Sequence, residues 1–103
     1  MTYLIQILLP LFDNDGRQFG RDHFIEVRDQ LTNAYGGLTS YSRAPVEGLW
    51  REDGASVQHD DLVIYEVMTS DLDRSWWRDY RQQLELRFRQ ERIIVHAQRT
   101  ELL

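Results

Sequence analysis

Residues 3–12 read Tyr-Leu-Ile-Gln-Ile-Leu-Leu-Pro-Leu-Phe, apolar at odd and even positions alike, with Gln6 as the one strongly polar side chain. Successive side chains of a strand point to opposite faces. A run that is apolar on both parities therefore predicts a central strand covered on both sides. The signature returns at residues 62–68 (Leu-Val-Ile-Tyr-Glu-Val-Met) and, in shorter form, at residues 93–97 (Ile-Ile-Val-His-Ala).

Two segments of helical period separate these strands. Phe24, Val27, Leu31 and Ala34 make one apolar stripe. Asp22 is its expected N-cap, because a carboxylate there accepts the free first-turn amides. Gly36-Gly37 supplies a left-handed stop. Trp77, Tyr80, Leu84 and Phe88 form the second stripe. Asp71 and Asp73 precede it, and Arg87, Arg89 and Arg92 lie near its end, as the helix dipole favours. Adjacent Trp76 and Trp77 cannot share a face, so one belongs to the core and the other at an interface or over a cleft. Residues 38–51 read as a strand interrupted by Pro45, hence an edge or bulged strand. Residues 52–60, with Asp53-Gly54, read as a hairpin loop.

The order strand, helix, strand, strand, helix, strand predicts a single α+β domain over residues 1–103. The expected architecture is a ferredoxin-like βαββαβ sandwich, with a four-stranded antiparallel sheet of order 4-1-3-2 and both helices on one face. A dimeric α+β barrel is the expected assembly type. With Tyr3, Ile5, Ile7 and Leu9 facing the helices, the other face carries Leu4, Leu8, Leu62, Ile64, Met68 and Ile94. Monomers rarely leave so large an apolar patch bare. A homodimer through the sheet face is the expected partner arrangement.

Gln6, Glu66 and His96 are polar exceptions on that face and fall on three adjacent strands, within cross-strand reach. As a catalytic set, His96 carries a proton, Glu66 acts as its partner or as base, and Gln6 orients a ligand carbonyl. The alternative is a hydrogen-bonded row that fixes the register of a dimer interface. Tyr41, Arg43 and Trp50, around the Pro45 irregularity, are candidate ligand-binding residues, since irregular strands re-aim side chains. The competing role is blunting of an exposed edge. Arg74 and Arg78 beside the tryptophans suit an anionic aromatic molecule or simple stacking on the core.

Composition narrows the classes. The net charge is −5, and all twelve basic residues are Arg. An acidic chain with an aliphatic open face is a poor nucleic-acid binder. The absence of Cys excludes disulfides and thiolate chemistry. His59, Asp60, Asp61 and His23 match no metal-ligand spacing, and no phosphate-binding glycine loop or nucleophile elbow occurs. No metal or cofactor is expected. Residues 1–12 lack a basic n-region and a cleavage site, and no run approaches a membrane span of roughly 20 apolar residues. A cytoplasmic location without membrane contact is the expectation.

At Gly37-Leu38-Thr39, at Gly48-Leu49-Trp50-Arg51 with the following Gly54, and at Phe88-Arg89-Gln90-Glu91, the chain resembles a bacterial family of small domains of unknown function. That resemblance implies the fold and no chemistry. Gln90 and Glu91 read as helix-terminal groups that satisfy backbone. The functional expectation is a dimeric domain that binds a ligand or partner without catalysis. The alternative is a cofactor-free monooxygenase- or isomerase-like enzyme acting on a small planar organic substrate.

Overall fold

In this computed structural model, residues 2–36, 39–45 and 61–103 are described, with residues 39–45 and Asp61 described by backbone alone. The first apolar run forms strand β1, Thr2–Pro10, in which Ile5, Ile7 and Leu9 are buried and the alternate residues half-buried. Strand β2 is Thr39–Pro45, β3 is Asp61–Thr69 and β4 is Ile94–Thr100. Helix α1, Arg21–Tyr35, follows β1, and helix α2, Arg74–Arg87, follows β3. The sheet runs β2-β3-β1-β4, and each neighbouring pair is antiparallel.

This arrangement corrects the expected architecture. In the linear order, β2 and β4 are opposite edges that do not pair with each other, so the sheet is open and neither closed nor curled. Closure into a barrel demands paired edges, and β2 and β4 do not pair. The sheet therefore does not form the expected ferredoxin-like, dimeric-barrel architecture. Two helices on one face of an open antiparallel sheet is the fold that stands. Three strands, β3, β1 and β4, carry its core. β2 joins along β3 alone, and its register shifts between Tyr41 and Ala44, near Pro45.

The helices explain which face is dry. Val27 and Leu31 of α1, and Trp77, Tyr80 and Leu84 of α2, pack with Phe88 and Ile93 onto Ile5, Ile7, Leu9, Tyr65 and Val67. Phe88 follows α2 directly, and it meets Phe19 edge-on and Phe24 at a tilt. Ala34 is exposed, and Tyr35 takes the last inward position of α1.

The helix ends differ from each other. Asp73 caps α2 and accepts the Trp76 backbone N–H at 3.1 Å. The expected cap of α1 is displaced: Gly20 occupies the N-cap position without a side-chain bond, and Asp22 lies inside the first turn. At the other end of α1, Gly36 adopts φ 73° and donates its N–H to Thr32 O. That left-handed conformation is steeply unfavourable for residues with a Cβ.

Candidate functional site

β1 places Gln6 opposite Glu66 of β3 on one side and His96 of β4 on the other. All three have even parity with Leu4 and Leu8, so they point away from the helices. Gln6 and Glu66 are half-buried, and Gln6 Nε2 donates to Glu66 Oε2 at 2.5 Å. His96 is exposed. Glu66 and His96 are two strand spacings apart, roughly 10 Å. The direct His96–Glu66 partnership expected from sequence is therefore not made; Gln6 stands between them. The geometry has a chemical use. A carboxylate fixed by an amide and an imidazole open to solvent flank one line of the sheet.

The apolar side chains around this row set its environment. Leu4, Leu8, Leu62 and Ile64 are half-buried. Met68 and Ile94 remain 46% and 53% exposed. A small organic molecule lying on this face meets aliphatic surface on both sides and polar atoms in the middle, the usual composition of a ligand site.

A second concavity lies where α1 ends and α2 begins. It encloses about 550 Å³ and is lined by Tyr35, Met68, Asp71, Asp73 and Trp76 among others. Trp76 is the tryptophan off the core stripe. Its ring stacks on Tyr80 at 5.0 Å and meets Tyr35 edge-on at 5.4 Å. Trp77 is 5% exposed and belongs to the core. Burial raises the Tyr35 hydroxyl above its usual 10.0; the neighbouring Trp77 indole opposes that rise and the Asp73 charge adds to it. Sequence reasoning missed Tyr35, because it lies one residue past the apolar stripe. Met68 belongs to the open face and also lines this concavity, so the two share a border.

The remaining candidates separate from the row. Tyr41 and Arg43 lie on β2, and their side chains are outside the described residues, as is Trp50 altogether. His59 and Asp60 also lie outside them. His23 packs its ring against Phe19 and Phe88, at 5.2 and 5.4 Å. No cluster of three or more metal-ligating side chains occurs among the described residues. Gln90 satisfies backbone, as expected: its Nε2 donates to Phe88 O and its N–H to Glu85 O. No helix among the described residues is long and apolar enough to cross a membrane.

The fold and this face define a small α+β domain with an open sheet and a polar row on its uncovered side. No family model and no curated protein matches the chain. Among solved structures it is similar to a phage SAM lyase in complex with S-methyl-5'-thioadenosine, with a TM-score of 0.56 at 14% identity. The match covers 94% of this chain and 80% of the lyase. At that identity the likeness is one of fold.

Proposed function

We propose that this chain is a cofactor-free enzyme acting on a small organic molecule held on the open sheet face. The observation that carries the proposal is the alignment of Gln6, Glu66 and His96 in one cross-strand line, with Glu66 already held by Gln6. In this reading Glu66 accepts a proton from the substrate, His96 returns one, and Gln6 keeps the carboxylate in its working rotamer. Geometry of this kind suits general acid–base chemistry, which contributes typically 10²–10⁴-fold. The fold likeness to a lyase with a thioadenosine ligand supports adenosyl sulfur compounds as the first substrate class. Their planar adenine suits the Tyr35 and Trp76 rings at the border of the face.

A second copy of the chain is proposed to cover the aliphatic flanks of the row and wall the site from water. The rival reading is a binding domain without catalysis. It is favoured by one observation: the Gln6–Glu66 bond is satisfied within the chain, as the polar row of an interface would be.

The deciding experiment incubates purified protein with S-adenosylmethionine and follows products by liquid chromatography and mass spectrometry. Turnover that falls at least 100-fold in Glu66→Gln and in His96→Ala, with the fold retained, supports the enzyme. Binding without turnover, unaltered by either substitution, supports the rival. Turnover that survives both substitutions removes the row from the chemistry.

A further inference from the structure

On the helix side of β4 lies a cleft of about 210 Å³, which His96 of the polar row borders at one edge. Its floor includes Ile5, Trp77 and Val95, and Arg74, Arg78 and Arg81 border it. The three arginines are four and three residues apart on α2, so they share one helix face. Arg81 is held by Glu85 at 3.0 Å, and the same carboxylate oxygen accepts the Ile93 N–H. Arg74 and Arg78 are exposed and have no ion pair among the described residues. A rim of three cations with one compensating carboxylate stands out in a chain of net charge −5. The outer side of β4 pairs with no strand among the described residues.

We infer that this cleft binds a small organic carboxylate, its apolar body on the Trp77 floor and its anionic end on Arg74 and Arg78. The planar guanidinium fork matches a carboxylate with two parallel hydrogen bonds. The apolar floor distinguishes such a ligand from an inorganic anion, which gains nothing from it. The volume is below the roughly 300–1,000 Å³ of drug-sized sites, so the occupant is compact or is one end of a larger molecule. This inference goes beyond the open-face reading and does not depend on it.

Calorimetric titration with benzoate, benzamide and inorganic phosphate tests it, alongside amide chemical shifts of ¹⁵N-labelled protein. Saturable benzoate binding is expected, with shifts clustered on α2, β4 and the Ile5 region of β1. Benzamide and phosphate are each expected to bind at least tenfold more weakly. Arg78→Met keeps the apolar stem and is expected to weaken benzoate about tenfold, as is Arg74→Met. Both side chains are exposed, so the variants should keep the wild-type melting temperature. The inference is overturned if benzoate shows no saturable binding at millimolar concentration. Equal binding of benzoate and benzamide, equal binding of benzoate and phosphate, or insensitivity to both substitutions overturns it as well.

Discussion

Tyr80 shows how one side chain couples the two helices. Its hydroxyl donates to Gln30 Oε1 at 2.9 Å, and Arg87 Nη2 donates to the same oxygen at 2.8 Å. Arg87 also pairs with Glu26 at 3.2 Å and stands 5.8 Å from the Tyr80 ring centroid. Burial pushes the Tyr80 hydroxyl up from 10.0 to about 12, against the opposing pull of Arg87. In the unfolded chain this phenol ionises near 10, so between pH 10 and 12 the unfolded state loses protons that the folded state keeps. Stability must fall through that window and is unaffected by this group below it. Tyr35 and Tyr65, also raised by burial, act in the same direction. Urea midpoints at pH 8, 10 and 11.5 should show a plateau and then a decline; a flat profile to pH 11.5 would refute the buried-phenol account. Tyr80→Phe leaves Arg87 on Gln30 and removes one neutral hydrogen bond, so it should cost about 0.5–1.5 kcal/mol in the same assay. The sequence stripe placed Tyr80 inside. It did not show Gln30 or Arg87 as partners, because Gln30 lies on the other helix, fifty residues before Tyr80, and local periodicity carries no information about pairs so far apart.

At the scale of elements, helix ends give the sharpest expectations. Asp73 has its carboxyl held below the usual 3.8, chiefly by the Trp76 N–H and then by the Ser75 hydroxyl. Its stabilising effect is present above the unfolded pKa and is lost as pH falls through the lower folded value. Asp73→Ala should lower the melting temperature at pH 7, with most of the loss recovered by Asp73→Asn; a melting temperature unchanged in Asp73→Ala would refute the cap. α1 offers the converse. Gly20 has extended backbone at φ −64°, ψ 152°, and an added Cβ meets nothing within 4 Å. Gly20→Ser should stabilise by a few tenths of a kcal/mol, since Ser supplies the missing acceptor. A destabilised Gly20→Ser in urea would show that the first turn is satisfied otherwise. Element type and order were legible because short runs apolar on both parities, at residues 3–12 and 62–68, differ plainly from the near-3.6 spacing at residues 24–34 and 77–88. The α1 boundary was not. Asp22 carries the capping side chain, but Gly20 sits where the chain turns, and backbone path decides which residue caps.

Sheet closure belongs to the whole molecule and leaves no trace in side-chain alternation. Alternation reports faces, while closure depends on whether β2 and β4 meet, and here they are opposite edges. Which parity faces the helices was open in a run apolar on both; in the fold Ile5, Ile7 and Leu9 are buried and the even residues of β1 are half-buried. The Gln6–Glu66–His96 row followed from that parity plus register. The absence of a Glu66–His96 contact did not, because sequence gives no distances. What covers the open face is then a question of magnitude. Fully burying six large apolar side chains would give on the order of 10 kcal/mol gross. Four of the six are already half-screened by neighbours, so roughly half of that remains to be gained by each copy, about 10 kcal/mol for the pair. Association costs about 4 kcal/mol or more. A second copy seated on this face should therefore form a weak, concentration-dependent dimer rather than an obligate one. Ile94, on edge strand β4 and 53% exposed, offers the substitution least able to disturb the fold. Sedimentation velocity over a micromolar to submillimolar series should show wild type moving from monomer to dimer. Ile94→Glu should stay monomeric throughout with an unchanged melting temperature when dilute. A wild-type chain that remains monomeric at submillimolar concentration would mean that the Leu4, Leu8, Leu62 and Ile64 surface is tolerated bare. The polar row would then work, if at all, as an open groove within one chain.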